Sequence, residues 1–216
     1  ALARERGVLL LKDLGGGALV SFDASGFVGE PTVRASVDAG ADVVTFSTDK
    51  VLGGPQGGAI VGGADAVARM RRHPLARALR LGRLPMVALE ETLALYLEGA
   101  AATEVPVLAM AHAPLEEVEA RARAWASALA GAGAAVEAVS TRVQMGGGSL
   151  AGREIDSRGV AIVPADGGVD ALAKRLRLGD PPVVGRVEEG RLVLDARTVA
   201  KADDAALVGA VLAALR

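Results

Sequence analysis

The 216 residues carry 24 Lys plus Arg against 26 Asp plus Glu, a formal net charge of −2, with no cysteine and only 2% aromatic residues. So even a balance gives no overall electrostatic footprint for nucleic acid, and so few rings offer no base-stacking platform. The missing thiols exclude a disulfide framework and a thiolate metal site and fit a cytoplasmic protein, while 51% apolar residues suffice for a sizeable core in one or two domains. No stretch reaches membrane-spanning length free of charge, and residues 1–7 do not read as a signal peptide but as the last turns of a helix.

Val8-Leu9-Leu10-Leu11-Lys12-Asp13-Leu14 follows as an apolar strand, with Asp13 at its end before Gly15-Gly16-Gly17. Residues 21–29 form a polar, glycine-containing loop to which no chemical role attaches. The stretch 30–40 predicts a helix, with Pro31 near its start and Gly40 at its stop. Val43-Val44-Thr45-Phe46 is a second strand, leading through Ser47-Thr48-Asp49 to Lys50. The loop Gly53-Gly54-Pro55-Gln56-Gly57-Gly58 then lets backbone approach a ligand closely before a further buried strand, Ala59-Ile60-Val61.

Two short helices are predicted over 64–72 and 75–84, the latter with Pro74 at its first turn. On one helix, Arg77 and Arg80 share a face, and two guanidinium forks on one face suit a tetrahedral oxyanion. A solvated basic helix is the alternative, and Arg69, Arg71 and Arg72 are read that way. His73 has no metal-ligand spacing to His112 and reads as structural. The apolar helix 86–97 carries Leu89, Leu93 and Tyr96 as a core stripe, and 99–113 reads as a boundary region. Beyond it come a helix over 114–129 with Trp125 as a packing anchor, strands at 135–139 and 160–163, and a helix over 168–178. A hairpin of 182–187 with 192–194 and an amphipathic helix over 203–215 complete a small α/β domain. Gly146-Gly147-Gly148 lacks the lysine of a P-loop.

A strand–helix–strand unit brings the ends of both strands, and so Asp13 and Lys50, to one edge of a parallel sheet, where α/β proteins bind ligands. Partial desolvation favours a neutral amine, which forms a Schiff base with an aldehyde. Pyridoxal phosphate needs this pair, a lysine for its aldehyde and an acid for its pyridinium nitrogen. A strand-end lysine that snorkels to water is the competing reading.

The words Asp13-Leu14-Gly15-Gly16-Gly17-Ala18-Leu19, Thr45-Phe46-Ser47-Thr48-Asp49-Lys50 and Leu52-Gly53-Gly54-Pro55-Gln56-Gly57-Gly58 closely resemble the bacterial selenocysteine synthase family. The likeness continues through His73-Pro74-Leu75-Ala76-Arg77-Ala78-Leu79-Arg80, Ala88-Leu89-Glu90-Glu91-Thr92, Gly146-Gly147-Gly148-Ser149-Leu150, Pro182-Val183-Val184-Gly185-Arg186 and Leu192-Val193-Leu194-Asp195-Ala196-Arg197-Thr198. It thus covers nearly the whole chain, in order.

The resemblance implies an α/β fold of type I among pyridoxal-phosphate enzymes. Residues 1–100 would be the C-terminal part of the large cofactor domain, and 101–216 the small domain. Relatives of this family have a further N-terminal portion, so a fragment of roughly the C-terminal half is implied. The implied activity is the conversion of L-seryl-tRNA(Sec) to L-selenocysteinyl-tRNA(Sec), with selenophosphate as donor. Lys50 would hold the cofactor aldehyde and act as general base, and Asp13 would hold the ring nitrogen. Ser47 would touch the cofactor phosphate and Gln56 would line the site. Arg77 and Arg80 would bind selenophosphate, and Asp49 would orient it. Arg186 would grip the substrate carboxylate or ester, a structural salt bridge being its alternative. No metal is implied. Homo-oligomers, as rings of dimers, and tRNA contact through the N-terminal portion also follow. Two other readings stand beside this one: a pyridoxal-phosphate ammonia-lyase acting on an amino sugar phosphate, and a truncated, non-catalytic paralogue.

Overall fold

The apolar run at residues 43–46 becomes the middle strand of a three-stranded sheet in a computed structural model that describes residues 2–26, 29–146, 152–165 and 168–216. A short helix α1 (Leu2–Glu5) leads to β1 (Leu11–Gly15), helix α2 (Val33–Asp38), β2 (Val43–Ser47) and β3 (Gly58–Gly62). β1 and β2 are parallel, as the intervening helix requires, and β2 and β3 antiparallel. Thr32 caps α2 by accepting from Ala35 N at 3.0 Å, and Gly40 closes it at φ 96°, so both ends lie close to their expected places. β3 differs from expectation. It is half-exposed rather than buried, because it lies at the sheet edge.

Helices α3 (Ala64–Arg72), α4 (Pro74–Ala78), α5 (Arg83–Leu97), α6 (Ala101–Glu104) and α7 (Pro106–His112) complete the first of two units, which also takes in 144–153. Its core gathers Val33, Val44, Phe46 and Leu52, with Leu89 and Tyr96 of α5 packed against them; Leu93, the middle of the expected stripe, stays partly exposed. The region 99–113, read as a boundary, holds α6 and α7, and the units divide between His112 and Ala113 rather than after residue 100.

The second unit comprises 113–143 and 154–216. It contains α8 (Leu115–Leu129), β4 (Ala134–Gln144), β5 (Glu154–Pro164), α9 (Val169–Arg177), β6 (Arg186–Glu188), β7 (Arg191–Asp195) and α10 (Asp204–Ala214), with strand order β4-β5-β7-β6. Val118, Ala122, Trp125 and Leu129 recur at helical spacing and join Val160, Ile162, Leu192 and Leu194 of the sheet in one core. Trp125 is 2% exposed, the anchor its sequence context predicts, and Arg121 lies over its ring at 5.6 Å. The β6–β7 hairpin turns through Glu189 (φ 50°) and Gly190 (φ 75°), the pair of positive φ values that suits a two-residue turn. Among the described residues, no helix is long and apolar enough to cross a membrane.

Candidate active site

β1 and β2 run side by side, so their C-terminal ends share one edge of the sheet, and Asp13 pairs in register with Thr45. Thr45 Oγ1 donates to Asp13 Oδ1 at 3.0 Å. Alternation along β2 sets Ser47 on the same face as Thr45. The two loops are tied together: Val51 N donates to Gly16 O at 3.1 Å, and Gly17, at φ 73°, admits no side chain because a Cβ there would collide with the Ser47 carbonyl oxygen. The strand ends are therefore held backbone to backbone.

After Ser47 the chain bends sharply. Thr48 is fully buried, its N–H donating to Gly57 O at 3.0 Å and its hydroxyl to Pro55 O at 2.6 Å. Gly54 N donates to Thr48 O at 2.8 Å, and Tyr96 Oη to Leu52 O at 2.8 Å. Burial pushes the Tyr96 phenol up to about 12, which keeps it a donor. The glycine-rich loop is thus a rigid buckle.

The expected residues fall into two cavities. Asp13 and Ser47 line one of about 850 Å3, floored by the sheet and roofed by α3 and α4, with Arg71 of α3 and His73 between the two helices in its lining. Asp49 and Lys50 line another of about 430 Å3 with Gly53 and Gly54. The bend at Thr48 separates them: it carries the chain off the Asp13 face before Lys50 is reached. Lys50 is half-buried, and among the described residues its ammonium makes no hydrogen bond or ion pair.

Gln56 lies exposed on the buckle, outside both cavities. The common face expected of Arg77 and Arg80 is corrected. α4 ends at Ala78, its Leu79 cap leaving helical geometry, so Arg80 lies in the connection to α5. Leu75, Ala76 and Leu79 occupy the inner side of this segment and both arginines are exposed. Arg186 is also placed differently from expectation. Residues 182–185 form no strand; Arg186 opens the exposed β6 and donates from Nε to Glu188 Oε1 at 2.7 Å. That is the salt bridge named as its alternative. Gly146 borders the Lys50 cavity, whereas Gly147, Gly148, Ser149 and Leu150 lie outside the described residues.

Three features carried no functional reading in the sequence. Arg71, set aside as solvated, is four residues after Val67 and beside Met70 on the cavity side of α3, a signal its spacing contains. His73 caps α4, its Nδ1 accepting from Leu75 N at 3.2 Å. His112 stacks on buried Phe22 with ring centroids 5.3 Å apart and bonds Ser25 Oγ at 2.6 Å, which anchors residues 22–25; burial lowers its pKa. Among the described residues no cluster of His, Cys, Asp or Glu could hold a metal.

In residue type the donor set suits pyridoxal phosphate, although Asp13 and Lys50 line different cavities. Asp13 has one oxygen engaged by a hydroxyl and its other free to accept from a protonated ring nitrogen, Lys50 offers an unpaired amine for an aldehyde, and Ser47 offers a hydroxyl at the same edge.

A family model described as L-seryl-tRNA selenium transferase matches residues 1–200. The chain belongs to the L-seryl-tRNA selenium transferase family. Among curated relatives, the L-seryl-tRNA(Sec) selenium transferase of Moorella thermoacetica is 44% identical over 218 residues, covering 99% of this chain and 46% of that protein. The Desulfomicrobium baculatum enzyme of the same name is 45% identical over 219 residues, covering 100% of this chain and 47% of that protein. The chain therefore spans about half the length of the curated relatives it matches. A solved alanine–glyoxylate aminotransferase from Nostoc sp. is 18% identical with a TM-score of 0.37, covering 100% of this chain and 56% of that one. Every site residue expected from the sequence, from Asp13 to Arg186, lies within the segment matched to the L-seryl-tRNA selenium transferase family.

Proposed function

We propose that the protein carries the lysine-bearing half of a pyridoxal-phosphate transferase of fold type I that converts L-seryl-tRNA(Sec) to L-selenocysteinyl-tRNA(Sec) with selenophosphate. The family match over residues 1–200 carries this reading. When bound, the cofactor supplies an electron sink for charge developing at the substrate Cα. Lys50 would hold the cofactor aldehyde, and its Nζ would act as the base for the substrate Cα proton. Asp13, steadied by Thr45, keeps a proton on the ring nitrogen by its negative charge. Ser47 donates to the phosphate, Gln56 lines the entrance and Asp49 orients the selenium donor. Arg77 and Arg80, exposed and without ion-pair partners among the described residues, attract selenophosphate. Arg186 exchanges Glu188 for the substrate's ester group. The seryl-tRNA contacts fall mainly to a further N-terminal portion, in a cytoplasmic homo-oligomer built of dimers.

The test is selenophosphate-dependent formation of selenocysteinyl-tRNA by the full-length protein. Lys50→Ala is expected to reduce it by about 100-fold or more. Unchanged product formation by that variant would refute the role of Lys50. Keto-sugar release from an amino sugar phosphate, without selenium transfer, would favour a lyase.

A further inference from the structure

The near-neutral charge of the chain is unevenly spread. Between Asp65 and Glu90 there is no acidic residue, while Arg69, Arg71, Arg72, Arg77, Arg80 and Arg83 all fall in that stretch. The 18 basic residues left elsewhere, 24 less these six, face all 26 acidic ones, so positive charge is concentrated on this segment. All six arginines are exposed, and among the described residues none makes an ion pair or a side-chain hydrogen bond.

α3 divides its arginines between two sides. Val67, Met70 and Arg71 line the Asp13 cavity. At about 3.6 residues per turn, Arg69 and Arg72 lie on the opposite side, three positions apart and therefore neighbours on the helix surface. Asp65 and Ala68 share that outer side, which carries no large apolar side chain to insert into a bilayer or bury in a dry protein interface. No aromatic residue lies between Phe46 and Tyr96, so the segment has no platform for stacking bases either. What the outer side offers is a pair of guanidinium forks, the group that matches phosphodiester oxygens.

We propose that Arg69 and Arg72, on the outer side of α3, form a contact for the phosphate backbone of RNA. In taking that RNA to be the substrate tRNA, the inference rests on the function proposed above. The contact holds the RNA near the cavity on the other side of the same helix and reads no bases, since phosphate contacts position a duplex without carrying sequence information. It leaves Arg77 and Arg80 to the selenium donor. Basic residues at a helix end also complement the helix dipole, and α9 has the same feature in Lys174, Arg175 and Arg177. There, however, Asp170 and Asp180 flank the cluster in sequence, so α9 supplies a matched control.

The experiment measures binding of tRNA(Sec) and of an unrelated tRNA to the full-length protein over a series of salt concentrations. Arg69→Gln with Arg72→Gln should weaken both RNAs about tenfold at low salt and lower the slope of log affinity against log salt by about 1.5–2, the loss of two phosphate contacts. Arg69→Lys with Arg72→Lys keeps the charges and should keep most of the slope. Lys174→Gln with Arg177→Gln removes the same charge at the same helix position in the other unit and should change neither quantity. Half-saturation by selenophosphate should be unaltered in the α3 variant, which separates RNA contact from donor binding. Product formation is assayed separately: if no selenocysteinyl-tRNA forms, the proposed activity fails, yet the slope difference would still uphold the RNA contact. An unchanged slope in the α3 variant, a loss matched by the α9 control, a loss confined to tRNA(Sec), or α3-dependent binding to anionic vesicles in place of RNA would overturn it.

Discussion

Tyr96 sets a phenol from α5 against the carbonyl of Leu52, two residues beyond Lys50, and that contact links a helix to the loop around the amine. Its pKa is raised by burial from 10.0 to about 12. Between those values the unfolded chain has released the proton and the folded one has not. The contribution of Tyr96 is therefore complete below pH 10 and is lost as pH rises through about 12. Tyr96→Phe should cost about 1 kcal/mol at neutral pH and flatten this part of the alkaline stability profile, read by urea unfolding from pH 8 upward. An unchanged profile would mean that the phenol is not the titrating group. At this scale the sequence was informative about chemistry but not about direction. Asp13 and Lys50 were legible as an acid and an amine at strand ends. The bend at Thr48, which gives them different cavities, depends on hydrogen bonds to Pro55 and Gly57 that no spacing announces. Arg71 was passed over because a run of arginines reads as solvated until one of them is seen beside Val67 and Met70.

The elements around the site were mostly legible, since periodicity and caps are local. Thr32 and Gly40 bracket α2, and the parallel pairing of β1 with β2 follows from the helix between them. α4 was not legible in the same way: Pro74 marks its start, but nothing in Leu79-Arg80-Leu81-Gly82 marks its early end except Gly82, the cap of α5. The buried or edge status of β3 was also beyond reach, because it depends on which strands flank it. A close contact between elements is the approach of Gly17 to the end of β2. Gly17→Ala adds a methyl against the Ser47 carbonyl oxygen at a positive φ, so it should cost more than about 1 kcal/mol and loosen the joined strand ends. Thermal unfolding measures the cost, and faster hydrogen exchange at Val51 N, which bonds to Gly16 O, reports the loosening. Full protection at Val51 in that variant would show that the two loops are not coupled.

In the whole molecule, two cores form within their own units, and sequence patterning located both because helical and strand periodicities each point at one apolar set. The boundary was legible only as a region, since short helices such as α6 and α7 give weak periodic signals. Trp125 is the largest fully buried side chain of the second core, and Trp125→Ala should cost about 3–5 kcal/mol there, measured by chemical unfolding. A loss below about 1 kcal/mol would mean that the core closes around the gap. The proposed activity depends instead on the first unit and on one amine among four lysines, Lys12, Lys50, Lys174 and Lys201. The most direct measurement is to add pyridoxal 5′-phosphate, reduce with borohydride and map the modified residue by mass spectrometry, with Asp13→Asn and Lys50→Ala in parallel. Modification confined to Lys50, weakened by Asp13→Asn and lost in Lys50→Ala, is the predicted result. Label spread evenly over the four lysines, or undiminished in Lys50→Ala, would contradict it.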